Sequence, residues 1–449
     1  MADPHASGLS VPSIELPKLL GDWLGWHRWW SSGPLPIGRR VAVVSSRLPR
    51  LIDPHGPWLR AMRAALGRLR VPQTVALIVP GTAGCEFLLR GTERQAACRI
   101  VIWCPNQLKS DLLAPELAAS DPNCTYLWPD SETQAEPPIN VRGTPERDRA
   151  AIAWADEIIV LGLRSGGNLH KLLRERLQLE HSSVFIAIDP SLQSRRACDD
   201  LMKLGAQVWS GYFDEARAAD RGVTSGHSEA TSRTMPVATQ DRIIPCPPVQ
   251  NWDYLVHATR ACPGPWPCQT IQDYVDSLLD CRADGDHSSF GSIMRIVQQR
   301  CLLASSRTIR GGFKVVSFTE TPLSELPGLR TFRVHRARWD FEPYGICIRR
   351  ERLIERGARA VFYATDDDWS GLSVEARPYF QRSHSDHSER GQGSVRDPAG
   401  IDWSVEKEWR QLGDLSLDGL SHDDAILFVP TLEEARKLLE ISRWPVTVL

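Results

Sequence analysis

The sequence predicts two unlike domains, an α/β domain built on a parallel sheet and a mixed α+β domain after it. Three observations point there. At 449 residues the chain exceeds what one hydrophobic core usually organises. Its first half alternates short β-branched runs with helical patterns, whereas its second half carries separated strand candidates bearing polar pairs. Between them, Ala218 to Gln250 is rich in Ser, Thr, Arg and Pro and has no clear period, as an exposed connector should be. The expected organisation is an aromatic-rich segment over 1–37, the sheet domain over 38–215, a linker over 216–250 and the second domain over 251–449.

Composition narrows the function classes. A formal net charge of -2 and a pI of about 6.6 give no global electrostatic reason to expect a nucleic-acid coat or a membrane-surface binder. No apolar run approaches the roughly 18 to 20 residues of a membrane span. Asp3, Pro4, Pro12 and Pro17 stand where a secretory signal would need an apolar stretch, so a cytoplasmic protein with no membrane partner is expected. The eleven cysteines run from Cys85 to Cys347 without a CxxC pair, which argues for small buried side chains and against a disulfide scaffold or a zinc site. Oligomeric assembly is left open.

Taken in order, residues 16–30 carry Leu19, Leu20, Trp23, Leu24, Trp26, Trp29 and Trp30 with few flanking cations, the pattern of an amphipathic helix packed on the first domain. Buried parallel strands follow at Arg39 to Arg47, Thr74 to Val79, Arg99 to Trp103, Glu157 to Leu163 and Ser183 to Ile188. Helical patterns lie between them at Trp58 to Leu69, Glu146 to Ala155 and Leu169 to Leu177. This is the layout of a Rossmann-like sheet covered on both faces, whose binding crevice lies beyond the carboxyl ends of the strands.

Three loops reach that edge: Ser45 to Arg47, Pro80 to Gly84 and Arg164 to Asn168. Their glycines let backbone approach a ligand, and the amides opening the next helix can hold an anion. The candidate ligand contacts are Ser46, Arg47, Gly81, Thr82, Gly84, Glu86, Arg164, Gly166 and Gly167. Together "VVSSR", "VPGTAGCE", "ADEIIVLGLRSGGN" and "LGAQVW" resemble the SLOG superfamily over roughly 170 residues, a group that includes DNA-processing protein A and the LOG phosphoribohydrolases. That resemblance implies a nucleotide-derived ligand at the sheet edge. The PGGxGTxxE motif of the LOG enzymes is absent, and "PGTAGCE", ending at Glu86, matches it only in part. Sensing is therefore expected ahead of hydrolysis, with a nucleotide N-glycosidase using Glu86 and the Gly81 loop as the alternative.

In the second domain three strand candidates bear polar pairs: Tyr254 to Arg260, Lys314 to Glu320 and Trp403 to Arg410. With a side-chain period of two, His257 pairs with Thr259, Ser317 with Thr319, and Glu406 with Glu408. Their segments "VHATR", "VSFTETPL" and "EKEWR" resemble, over roughly 160 residues, the ADP-ribosyltransferase superfamily, and Ile271 to Leu279 and Phe290 to Arg300 suit its intervening helices. The SFTE and EWR segments also resemble those of uncharacterised bacterial proteins associated with phage defence. The resemblance implies NAD as substrate, with Glu408 as catalytic glutamate and Glu406 toward the acceptor. His257 would bind a ribose hydroxyl, Thr259, Ser317 and Thr319 would orient the dinucleotide, and Tyr344 would stack on nicotinamide. Arg260 competes with His257 for the first-strand position. A carboxylate beside the ribose would stabilise positive charge that develops as the glycosidic bond breaks.

Two further features have plain readings. His384 and His387 sit three apart in the irregular tract Ser383 to Pro398, which is expected to be a loop without a metal; Asp366 to Asp368 reads as a solvated turn. The sequence thus points to a sensor-effector fusion, cytoplasmic and of toxin type. Its first domain would bind a nucleotide-like signal, and its second would cleave NAD or pass ADP-ribose to a protein or nucleic acid in phage defence or stress. The alternative is a non-catalytic protein whose domains only bind nucleotides or partners.

Overall fold

The computed structural model describes residues 13–15, 18–104, 121–129, 136–179, 183–209, 211, 242–307, 309–333, 338–383 and 403–449. The chain folds as two compact units, Met1–Ala230 with Pro263–Gly285 and Thr231–Cys262 with Asp286–Leu449. Most of the expected linker, and His384 and His387, lie outside the described residues.

The first unit is an α/β structure that has, among the described residues, nine strands in its sheet: β1 (Ser13–Glu15), β2 (Arg28–Ser31), β3 (Arg39–Ser45), β4 (Thr74–Ile78), β5 (Arg99–Ile102), β6 (Cys124–Pro129), β7 (Glu157–Gly162), β8 (Ser183–Ile186) and β9 (Gln207–Val208). Their order is β1-β2-β6-β5-β4-β3-β7-β8-β9, parallel from β6 to β9 and antiparallel where β1 and β2 are added at one edge. The sequence runs outward from β3 to β6, then restarts beside β3 at β7, so the topological switch lies between β3 and β7. Alternation divides the core: Ala42 and Val44 enter one layer of buried side chains, Val41 and Val43 the other. A sheet covered on both faces needs apolar residues in both registers, which is why β4, TVALI, is buried throughout.

Helices α1 (Lys18–Leu24), α2 (Pro57–Leu69), α3 (Cys85–Arg94), α4 (Glu146–Ala153), α5 (Asn168–Leu177) and α6 (Arg195–Lys203) cover the sheet. In α2, Pro57 opens the helix, and Trp58, Leu59, Met62, Leu66 and Leu69 form the buried stripe. The aromatic segment packs on this domain as expected, but not as one helix. The chain turns after α1 and Trp29 enters the core from β2, fully buried. A further helix, α7 (Ile271–Leu279), also belongs to this unit although its sequence lies beyond the first domain. Tyr274, Val275, Leu278 and Leu279 join the core formed with α2 and α3. Asp276 pairs with Arg90 at 2.6 Å and Arg94 at 3.1 Å, and Asp280 with Arg94 at 2.7 Å.

The second unit is α+β. Its main sheet contains β10 (Tyr254–Ala258), β11 (Val315–Thr319), β14 (Gly345–Arg349), β15 (Arg359–Ala360), β16 (Glu408–Leu412), β17 (Ala425–Val429) and β18 (Val446–Val448). Strands β12 (Thr331–Arg333) and β13 (Arg338–Asp340) form a separate antiparallel pair. The main order is β15-β16-β11-β10-β14-β17-β18, antiparallel except between β17 and β18. Helix α8 (Ser289–Gln299) begins at Ser288, whose hydroxyl accepts the Gly291 amide. Ile244 donates its amide to Val446 at 2.9 Å, so the last part of the expected linker runs along β18. The expected strand Trp403 to Arg410 is shorter than its sequence suggests. Trp403–Glu406 is a 3-10 turn, Lys407 takes a left-handed φ of 44°, and extended structure begins only at Glu408.

Candidate functional site

At the switch point of the first unit a crevice of about 740 Å³ opens beyond β3, β4 and β7. Ser46, Gly81, Thr82, Glu86, Arg164, Gly166 and Gly167 all line it, so the three loops do converge. Ser46 acts as a tie: its hydroxyl accepts the Arg164 amide at 3.1 Å, and its own amide donates to Gly162 at 2.8 Å. The Thr82 hydroxyl is spent within its loop, donating to the Val79 carbonyl at 2.7 Å. Two expected contacts are corrected. Arg47 is exposed and not among the lining residues, and Gly84 is buried at the start of α3 with a φ of 90°. A Cβ at Gly84 would sit 3.1 Å from both Met62 and Trp58, so this glycine serves packing.

The Arg164–Gly167 loop is buttressed from below. Gly166, at φ 69°, donates its amide to His170 Nδ1 at 3.1 Å, and His170 Nε2 lies 3.0 Å from Asp200, which also receives Arg174 at 2.9 Å. With Nδ1 accepting, the His170 proton is on Nε2. Helix α5 starts immediately afterwards without a side-chain cap, so the first-turn amides of Asn168 and Leu169 border the crevice with the positive end of the helix dipole. Arg147, Asp148 and Ala151 of α4 complete the wall. Among the described residues neither Arg147 nor Arg164 forms an ion pair. Burial raises the Asp148 carboxyl above the usual carboxylate range, with Arg147 opposing it. Glu146 is raised in the same way while accepting the Trp26 indole N–H at 2.9 Å.

In the second unit the expected pocket is divided by the sheet itself. Val256 stands opposite Thr319 and Thr319 opposite Glu408, so Ser317, Thr319, Glu408 and Arg410 share one face. His257 projects from the other face, its ring 5.8 Å from Phe318. Thr259 and Tyr344 go with it, because the Thr259 amide meets the Tyr344 carbonyl one register step beyond Ala258 and Gly345. Tyr344 donates to Glu434 at 2.8 Å, away from Ser317 and Glu408. His257 Nδ1 lies 2.9 Å from the Ser317 carbonyl, and burial lowers its pKa to about 4, leaving a neutral ring. The expectation that His257, Ser317 and Glu408 converge is therefore corrected: alternation along β10 turns His257 away.

On the Glu408 face, Arg410 holds both carboxylate oxygens at 2.9 and 2.8 Å. The same buried guanidinium donates to the carbonyls of Pro378 and Phe380 and to Gln381. Glu406 does not share the strand with Glu408. Its carbonyl accepts the Thr319 hydroxyl and its carboxylate lies 3.7 Å from Arg333. Arg333 pairs with Asp340 at 2.8 Å, and Arg260 approaches Asp340 at 3.8 Å. A charged chain thus runs from Arg260 to Glu406 beside Thr319. Asp366 to Asp368 form the first turn of a short helix: Asp368 caps Thr365, and Asp366 pairs with Arg310 and Arg382.

The chain is similar to DNA processing protein A from Streptococcus pneumoniae, with a TM-score of 0.34 and 14% identity over 49% of this chain and 78% of that one. It is also similar to DNA processing protein A from Helicobacter pylori, a structure described for its single-stranded DNA binding mode (TM-score 0.31, 15% identity, 48% of this chain, 98% of that one). The molybdenum cofactor carrier protein of Chlamydomonas reinhardtii matches with a TM-score of 0.25 and 11% identity over 41% of this chain and 97% of that one. No protein-family profile and no curated protein matches the chain.

Sequence reasoning missed Arg147 and Asp148, although "TPERDRA" places them in the first turn of a helix that leads back to the switch strand. It also missed Arg410, Arg333 and Asp340, whose partners are distant in sequence and leave no local pattern. No helix of the described residues is long and apolar enough to cross a membrane, and no cluster of metal-ligating side chains occurs among them. Of the cysteines, Cys85, Cys104, Cys124, Cys198 and Cys347 are buried while Cys98 and Cys268 are exposed.

Proposed function

We propose that the first unit binds an anionic, nucleotide-derived ligand in the crevice at its switch point, in the manner of a SLOG-like sensor. One observation carries the reading: the uncapped start of α5 opens into a crevice flanked by Arg147 and Arg164, neither paired with a carboxylate among the described residues. Phosphate oxygens match these donors, and Asp148 and Glu86 offer acceptors for sugar hydroxyls or an exocyclic amine. Titrating the full chain with nucleoside mono- and diphosphates tests this. Arg164→Gln and Arg147→Gln should each weaken binding by about tenfold or more, the scale of one charged hydrogen bond. Affinities unchanged in both variants would sink the reading.

A second reading assigns NAD use to the second unit, by ADP-ribosyl transfer or NAD cleavage. Ser317 supports it, on the same sheet face as the Arg260-to-Glu406 chain that passes beside Thr319. In this arrangement Arg260, not His257, holds the first-strand position. Nicotinamide release by the full chain, compared with Glu406→Gln and Arg260→Gln, is the test; release that survives both substitutions removes these residues from any such chemistry. A sensor-effector role in phage defence would follow only if that release depends on a ligand in the crevice.

A further inference from the structure

The antiparallel pair β12 and β13 has two unlike faces. On one, Arg333 and Asp340 pair with each other, and Arg333 also reaches Glu406 and lies 4.8 Å over the Trp403 ring. These contacts hold the hairpin to its unit. On the other face Phe332 and Trp339 stand directly opposite one another, ring centroids 5.3 Å apart, each 42% exposed. The Arg330 guanidinium lies 4.8 Å over Trp339 and pairs with no carboxylate among the described residues. Leaving two large aromatic rings half in water is unfavourable unless something covers them.

The charge says what kind of partner fits. Residues 330–340 contain four arginines against one aspartate, in a chain whose net charge is -2. Two flat apolar rings with the Arg330 cation over one of them complement a polyanion that carries flat rings of its own. We propose that the Phe332–Trp339 face, with Arg330, is a binding platform for single-stranded nucleic acid, stacking unpaired bases on the aromatic pair while Arg330 meets the backbone phosphate. Paired bases hide their faces, so a duplex gains only the electrostatic part. An acidic peptide brings charge but no comparable stack. This proposal is independent of the crevice and of NAD chemistry.

Fluorescence anisotropy of the full chain with a labelled mixed-sequence single strand of about 20 nucleotides, as DNA and as RNA, tests it. Phe332→Ala and Trp339→Ala should each weaken binding by about five- to a hundredfold, the range measured for loss of base stacking. Trp339→Phe should restore most of the affinity, separating a lost stack from a disturbed fold. Arg330→Gln, a fully surface change, should lower the slope of log affinity against log salt by about one. Absence of binding overturns the proposal. So do duplex binding as tight as single-strand binding, displacement by polyglutamate at equal charge, and alanine variants that bind like the parent chain.

Discussion

Glu408→Gln is the most informative single change in the second unit, because geometry and motif predict different outcomes for it. Arg410 is 1% exposed and Glu408 15%, and the pair is closed by two hydrogen bonds. Neutralising Glu408 leaves a buried guanidinium without its counter-charge, and breaking such a pair from one side typically costs about 3–5 kcal/mol. The carbonyls of Pro378 and Phe380 and the Gln381 amide oxygen remain as acceptors, which places the expected loss near the lower end, about 3 kcal/mol. Hydrogen exchange at the amides of β11 and β16 under increasing urea reads that loss within the unit. Glu408→Gln combined with Arg410→Met should recover most of it, because replacing both charges removes the desolvation penalty along with the attraction. Stability within about 0.5 kcal/mol of the parent chain, the usual surface effect, would refute the structural assignment and return Glu408 to chemistry. For the same reason, loss of NAD turnover in Glu408→Gln alone carries no mechanistic weight unless the fold is shown intact.

His257 should remain neutral across the physiological range, and its folded pKa of about 4, against an ordinary 6.5, means the unfolded chain binds the extra proton. Stability of the second unit is then complete above 6.5 and falls as pH drops toward 4, by about 3 kcal/mol at most for this group, a fall His257→Gln should abolish when followed by acid unfolding. In the first unit, the Arg90 hydrogen bond, aided by Arg94, holds the Asp276 carboxyl below its ordinary 3.8. Its contribution is present above that value and lost as pH falls through the lowered one. Asp276→Ala should therefore cost about 2 kcal/mol at neutral pH, measured as faster exchange of α7 amides, and nothing in strong acid. Replacing His170 by Ala should release the Gly166 amide and weaken nucleotide binding severalfold, on the order of one hydrogen bond, without altering the oligonucleotide platform.

Much of the first unit was legible because a buried parallel sheet imprints itself locally. Val41 to Val44, Val75 to Ile78 and Ile158 to Leu161 are apolar in both registers, and their loops carry the glycines that a βα turn requires. By the switch-point rule, a crevice is expected where those loops meet. What stayed hidden depended on contacts across the chain. Strand β6 mixes Thr125 and Tyr126 into a short run that has no clean period, and α7 has an ordinary amphipathic pattern that does not say which core it joins. In the second unit, period two correctly placed Ser317 with Thr319 and His257 with Thr259. Pairing register, which sequence does not reveal, put the two sets on opposite faces. Lys407 had the further effect of detaching Glu406 from the strand, since a left-handed lysine has no signature comparable to glycine.

A crystal structure of the full chain with a saturating nucleoside monophosphate decides whether the switch-point crevice holds a nucleotide phosphate. The phosphate should accept hydrogen bonds from the Asn168 and Leu169 amides and meet Arg147 or Arg164; a nucleotide bound anywhere else, with this crevice empty, would overturn that reading.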